Sequence, residues 1–325
     1  QFGRLYTSFQ GLARIDFPGK LPMYLQASAT SNRWDFFKSN PKMFFVDVKP
    51  AYLIQNESNF RFDFGFPLGQ KSKIEFGGAY ARMKDEYYQN NNFLQTDTAD
   101  VTKFDLLTAH LRFERKTLNN IHYPDKGVFD LIDLRYIRGK EQNNPGTTSA
   151  ENKEYGNQHS YALAKLHHER YLEISDNYSL GASLEIKASN KQFYRNYIST
   201  LLSAPTFTPT PHSKTLFLKN FRAHNYASLG LKNIIKFTDN LNLRIEGYGF
   251  LPLREIRKVE SKPQIFTPEY TDFFPVLRLS GNANLVYTSP LGPVSFSVNY
   301  YDEERTKWFF MFHFGYIIFN ERGID

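Results

Sequence analysis

The chain has 325 residues, with 40 Lys and Arg against 33 Asp and Glu for a formal charge of +7, and it contains no cysteine. Aromatic residues make up 17% although all hydrophobic types together reach only 41%, and the mean hydropathy is −0.51. These values exclude a helical membrane protein, which needs spans of ~20 mostly apolar residues, collagen-like and disordered chains, disulfide scaffolds, and any cysteine-based catalytic or metal site.

Taken in chain order, apolar and polar residues alternate with period two, the signature of half-buried strands. The alternation predicts strands at Gly3–Asp16, Leu21–Phe36, Phe60–Phe66, Lys73–Lys84, Leu107–Phe113 and Gly127–Gly139. It continues at His159–Glu173, Tyr178–Ser189, Asn225–Phe237, Asn240–Leu251, Leu277–Thr288, Val294–Tyr301 and Thr306–Ile318, with Val48–Asn56 as a fourteenth candidate. No segment carries a helical stripe.

Connections alternate in length. Short turns are expected at Phe17–Lys20, Gly69–Ser72, Ser175–Asn177, Thr238–Asn240 and Ser289–Pro293, and long polar stretches at Asp85–Val101, Gln142–Asn157, Phe193–His224 and Pro252–Pro275. Long strands joined this way predict an all-β, transmembrane antiparallel β-barrel over residues 1–325, with short periplasmic turns and long extracellular loops. The alternative, a soluble β-sandwich with an aromatic core, would leave too much apolar surface in water. Because Gln1 is not an initiator Met and no signal segment follows it, the chain reads as part of a longer polypeptide whose first strands lie upstream.

Several motifs carry a family resemblance. On the last strand Trp308, Phe310, Phe312, Phe314, Tyr316 and Ile318 share one face, which resembles the aromatic C-terminal strand read by outer-membrane assembly machinery. It departs from that pattern in the seven residues that follow, Phe319 to Asp325. The run Leu216-Phe217-Leu218-Lys219-Asn220-Phe221-Arg222-Ala223-His224-Asn225-Tyr226 resembles the V-R-G-F/Y tip of the sixth extracellular loop in the BamA/TamA/FhaC superfamily. Five predicted strands follow it here, as in that family, and Ala223-His224 replaces the usual Gly-aromatic pair. Leu243-Arg244-Ile245-Glu246-Gly247-Tyr248 stands where the family carries an inward acidic residue, and His122-Tyr123-Pro124-Asp125-Lys126-Gly127 is similar to its Y/F-P-x-x-G turn. The family barrel has 16 strands against the 13 or 14 read here.

More narrowly, Ser31 to Lys38, Gly77 to Arg82 with Asp85 to Tyr88, Phe221 to Tyr226, and Asn299 to Tyr316 resemble the C-terminal barrel of patatin-like phospholipases of Bacteroidetes-type bacteria. That resemblance implies an outer-membrane anchor, and a route of export, for a fused phospholipase domain upstream. A BamA/TamA-like insertase or translocator is the alternative, and a passive porin the second. The implied partners are outer-membrane lipid, lipopolysaccharide and the assembly machinery, with a homodimer left open.

The residues themselves allow one architectural expectation. A loop arginine folded into the lumen needs a counter-charge. Glu246 shares inward parity with Arg244, so Phe221, Arg222, Ala223 and His224 would be locked inside by an Arg222–Glu246 pair. The alternative leaves Arg222 exposed and pairs Glu246 with Arg244.

No G-x-S-x-G nucleophile elbow or D-G-A/G triplet occurs, so no catalytic residue is assigned to this chain. His167-His168-Glu169 is the only histidine cluster, and adjacent strand residues face opposite sides. No metal-ligand spacing, cofactor motif or nucleic-acid signature is present.

Overall fold

The computed structural model describes residues 6–36, 53–89, 93–94, 96–151, 153–262, 265–304, 307–315, 320 and 322–323. Among these residues thirteen strands form one antiparallel sheet whose order follows the chain, with one hairpin set aside between its tenth and eleventh members. They are β1 (Tyr6–Phe17), β2 (Met23–Phe36), β3 (Leu53–Leu68), β4 (Ser72–Tyr87), β5 (Asp100–Lys116), β6 (Gly127–Asn144), β7 (Tyr155–Ser175), β8 (Tyr178–Ser189), β9 (Tyr226–Lys236) and β10 (Leu241–Pro252). A separate hairpin, β11 (Ile256–Lys262) with β12 (Ile265–Tyr270), rises from the next connection. The sheet resumes at β13 (Arg278–Ser289), paired to β10, and ends with β14 (Gly292–Tyr301) and β15 (Trp308–Phe314).

The predicted all-β barrel class is the one observed, and the sheet is inverted relative to a soluble protein. Outward side chains such as Leu107, Phe296 and Phe310 are more than half exposed, whereas Asn282, Asn299, Ser297 and Glu141 face inward and are buried. An apolar exterior around a polar interior is what a bilayer requires of a spanning sheet, and it excludes the sandwich alternative. Turns and loops also alternate as expected, with two-residue turns at 176–177 and 290–291 opposite long connections such as 190–225.

Two elements depart from the sequence reading. The long loop after β8 contains a helix, α1 (Tyr197–Ser203), and Pro252–Pro275 contains the β11–β12 hairpin rather than irregular loop alone. The fourteenth candidate, Val48–Asn56, falls partly outside the described residues, which omit 37–52; its last part belongs to β3, which begins at Leu53 and runs unbroken to Leu68.

Inside, the same local device recurs three times. The ring of Tyr24 lies over Gly65 on the adjacent strand, Tyr171 over Gly181, and Tyr248 over Gly230. Each hydroxyl then donates to a glutamate: Tyr24 to Glu75 at 2.7 Å, Tyr248 to Glu246 at 2.6 Å, and Tyr171 to Glu169. Glycine lets the ring lie flat on the strand, which protects its backbone and pins the register. A Cβ on Gly65 would sit 1.9 Å from the Tyr24 ring. Gly65→Ala is therefore expected to displace that ring, break the Tyr24–Glu75 bond and destabilise the barrel by about 1–3 kcal/mol, read as a lower urea midpoint in detergent. An unchanged midpoint would show that the ring packs without needing the glycine.

Candidate functional site

The 190–225 connection does not extend into solvent; it crosses the lumen from wall to wall. Asn196 caps α1, its Oδ1 accepting from Ile198 N–H at 2.7 Å, and every residue of the helix is buried. Ile198, Leu201 and Leu202 pack with Tyr6, Trp34, Phe36, Leu53 and Tyr87, which belong to β1–β4. At its other end the loop places Phe207, Leu218, Phe221 and Ala223 against Tyr226, Tyr248, Phe250 and Tyr301 of β9, β10 and β14. Phe221 is fully buried, with its ring 5.6 Å from Phe250 and 6.1 Å from Tyr301. Below the tip, Asn220 N–H donates to Glu303 at 2.8 Å and its amide to Asp302 O at 2.9 Å, fastening the loop to the β14–β15 connection.

The predicted lock residues are thus brought inside, but the expected Arg222–Glu246 ion pair does not form. Arg222 Nη1 donates to the carbonyls of Leu201 and Leu202, at 3.3 and 3.1 Å, and its guanidinium lies 4.9 Å from the Phe217 ring. The physical reason is proximity. The last turn of α1 presents carbonyls at the negative end of its dipole, Leu201 O accepting from the capping Ala204 N–H at 3.2 Å as well, and Arg222 lies within reach of them. Glu246 is already satisfied, accepting from Arg244 Nε at 3.0 Å and from Tyr248 O–H at 2.6 Å. Glu246 thus pairs with Arg244, and Arg222 is buried rather than exposed.

Ala223 and His224 are also fully buried. Ala223 N–H donates to Pro205 O at 3.2 Å. The Nδ1 of His224 meets the Tyr270 hydroxyl at 2.7 Å, tying the loop to the β11–β12 hairpin. Burial pulls the His224 pKa down to about 3, so the imidazole is neutral and Nδ1 is available as the acceptor.

Lys191, at the start of the loop, is the other buried base. Its Nζ donates to Ser203 O at 2.8 Å and faces the rings of Tyr194 and Tyr161. Burial, with the positive charge of Arg322, pulls its pKa down to about 7. Its folded pKa lies below the unfolded value, so the unfolded chain binds more protons and stability rises with pH between about 7 and 10.5. The loop is expected to grow more resistant to protease from pH 7 to pH 10, and Lys191→Met to flatten that dependence. An identical pH profile in the variant would remove Lys191 as its source.

A ladder of charges lines the wall beneath the loop. Lys232 on β9 donates to Glu169 and, at 3.0 Å, to the Tyr171 hydroxyl on β7. His167 lies 3.1 Å from Glu185 and 3.5 Å from Glu169. Arg244 reaches across the lumen to Pro124 O at 3.0 Å, while Tyr123 donates to Ser295 Oγ at 3.2 Å. The His122–Gly127 motif therefore folds up under the barrel and closes its short-turn end, with Gly127 at φ +102° opening β6. His168 faces the opposite way from His167, bonding Asp130 at 2.6 Å, as parity predicted. Among the described residues no group of three His, Cys, Asp or Glu could hold a metal ion.

Thirteen strands with five after the loop, and a loop folded inward, are the geometry to compare. No protein family's sequence profile matches the chain, and no curated protein matches it in sequence. Among solved structures it is similar to BamA from Haemophilus ducreyi lacking POTRA domains 1–3, with a TM-score of 0.54 and 13% identity, over 95% of this chain and 61% of that one. It also matches CdiB from Escherichia coli, with a TM-score of 0.47 and 12% identity, over 93% of this chain and 52% of that one. The fold is similar to that of BamA. The chain spans about three fifths of the BamA chain and half of the CdiB chain.

The ends of the sheet complete the site. Among the described residues β1 and β15 pair with no strand on their outer edges. Trp308, Phe310, Phe312 and Phe314 all face outward on β15 and are more than half exposed, whereas Tyr316 and Ile318 lie outside the described residues. Sequence reasoning gave no place to the residues after the aromatic face. Asn320 bonds Tyr6, Asn32 and the Phe9 carbonyl at 3.2 Å each, and Arg322 bonds Glu57 at 3.2 Å. Arg135 reaches the Gly323 carbonyl at 3.5 Å. Asn320, Arg322 and Gly323 thus lie against β1–β3 and β6, bordering a cavity of about 290 Å³ lined by Arg61, Glu75, His110 and Arg135. The visible signal was the return of polar residues after Phe319.

Proposed function

We propose that this chain spans the outer membrane of a Gram-negative bacterium as an insertase- or translocator-like barrel, not as an open pore. The observation that carries the reading is the loop buried across the lumen, with Leu202 against one wall and Phe221 against the other. A loop held against both walls obstructs the aqueous path that an open pore needs. The likeness to BamA in fold supports the same reading.

The test is reconstitution in lipid vesicles. Folding of a urea-denatured small barrel is expected to run at least several-fold faster with the protein present, while planar-bilayer conductance stays far below that of a porin. High steady conductance with no acceleration would overturn the proposal in favour of a passive pore. Trp308, Phe310, Phe312 and Phe314 are proposed as the face handled by the assembly machinery.

The narrower reading, an anchor for a fused patatin-like phospholipase, is supported by the sequence resemblance at Gly77 to Arg82 and Phe221 to Tyr226. In that reading this chain is non-enzymatic and the lipase lies upstream. Intact-mass measurement and peptide mapping of the native polypeptide test it. Peptides containing G-x-S-x-G would support it, and a native mass of 38.0 kDa would remove it.

A further inference from the structure

The exterior of β4–β6 changes character abruptly along the strands. From the short-turn end, outward positions are apolar or aromatic: Phe76 and Tyr80 on β4, Leu111 and Leu107 on β5, Leu134 and Tyr136 on β6. Immediately above them the same outward face carries Arg82 and Lys84, then Lys103, then Arg138 and Lys140. Five basic groups stand there against two carboxylates, Asp105 and Glu86.

Those two carboxylates are already taken. Asp105 pairs with Arg82 at 2.6 Å and Glu86 with Lys84 at 2.6 Å. Lys103, Arg138 and Lys140 are exposed and have no ion pair or hydrogen bond among the described residues. The ladder also sets Lys84 directly opposite Lys103, and Lys140 diagonal to Lys103. Like charges opposite one another destabilise a sheet, so the cluster calls for an external anion. By contrast, Leu229 on β9, Leu279 on β13 and Phe310 on β15 are exposed apolar residues in the long-loop half of their strands.

We infer that Lys103, Arg138 and Lys140 form a binding site for the phosphate groups of an anionic lipid headgroup in the outer leaflet. The inference rests on the proposed membrane-spanning reading, because it takes the apolar band of β4–β6 as the hydrocarbon level. Directly above such a band lies the headgroup layer, where basic side chains meet phosphate oxygens in charge-assisted bonds. The upper girdle residues Tyr80 and Tyr136 would lie against the lipid's acyl chains, so one molecule is held by both ends.

The test uses the whole chain in detergent micelles, titrated with diphosphoryl lipid A, with phosphatidylcholine and with inorganic phosphate, and read by native mass spectrometry. The wild-type barrel is expected to bind diphosphoryl lipid A at least tenfold more tightly than phosphatidylcholine. K103Q/R138Q/K140Q is expected to lose on the order of a hundredfold for lipid A, at roughly fivefold per charge, with phosphatidylcholine binding unchanged. Equal affinity of wild type and variant for lipid A would overturn the site. Competition by millimolar inorganic phosphate would also overturn it, by showing a free-phosphate site instead of a lipid site. Should the triple variant lose its folded gel mobility, K103Q and K140Q singly carry the same comparison, each expected to weaken lipid A binding severalfold. A barrel that fails to insert into vesicles at all contradicts the membrane-spanning reading; one that inserts without lipid A preference contradicts this site alone.

Discussion

Phe221→Ala is expected to release the lumen loop and to cost about 3–5 kcal/mol of its docking energy, the range for truncating a fully buried phenylalanine. The ring is fully buried in a cluster with Phe207, Phe250, Tyr301 and Leu218, tilted against Phe250 and edge-on to Tyr301, so the wall cannot collapse onto the void. Because the loop also hangs on α1 at the opposite wall, it will swing from that hinge rather than unfold the barrel. Limited proteolysis is expected to cut between 204 and 225 at least tenfold faster, and single-channel recordings to show conductance the parent lacks. Intact loop and unchanged conductance would place the anchorage in α1 alone. Arg222→Ala, which removes the guanidinium from the carbonyls of Leu201 and Leu202, is expected to be milder, since the aromatic cluster remains.

Lys232→Met is expected to be the most damaging single change in the wall. Lys232 is buried between the Glu169–Tyr171 pair of β7 and the Tyr248 ring of β10, 5.9 Å away. Removing it leaves Glu169 with His167 and the Tyr171 hydroxyl but without its lysine, inside a wall that shields it from water. Breaking a buried ion pair from one side costs about 3–5 kcal/mol, visible as a large fall in the urea midpoint of the refolded barrel. The double variant Lys232→Met/Glu169→Gln is expected to recover much of the loss, the coupling that marks a direct pair. Additive losses would instead assign the damage to lost packing of the lysine stem.

Most of the architecture was legible because a barrel writes itself twice, once in the two-residue alternation and once in the alternation of turn lengths. Leu277 to Thr288 and Val294 to Tyr301 could be placed on their faces from sequence alone, since a one-residue slip would send Asn282 and Asn299 into lipid. Helix α1 was not legible. Seven residues hold barely two turns, too few for a 3.6-residue stripe, and Ile198 and Thr200 read as well for a strand. Only Asn196, as a cap, marked it. Parity placed Glu246 inward but could not choose its partner, because that choice turned on main-chain carbonyls of α1 that only the folded loop supplies. The residues beyond β15 were illegible for the same reason: Asn320 and Arg322 bond to residues 314 and 265 positions earlier, a distance no local pattern encodes.

The strands are unequal in length. β7 has 21 residues and β14 has 10, a difference of ~36 Å along the strand at ~3.3 Å per residue. At the short-turn end Leu172 to Ser175 run past Gly127, the first residue of β6, and at the long-loop end Tyr155 to Ala162 stand beyond Ser189, the last residue of β8. Beyond Ser189 the edge Tyr155–Ala162 therefore has no β8 partner among the described residues, and the upper part of β7 is held through β6 and, behind it, β5.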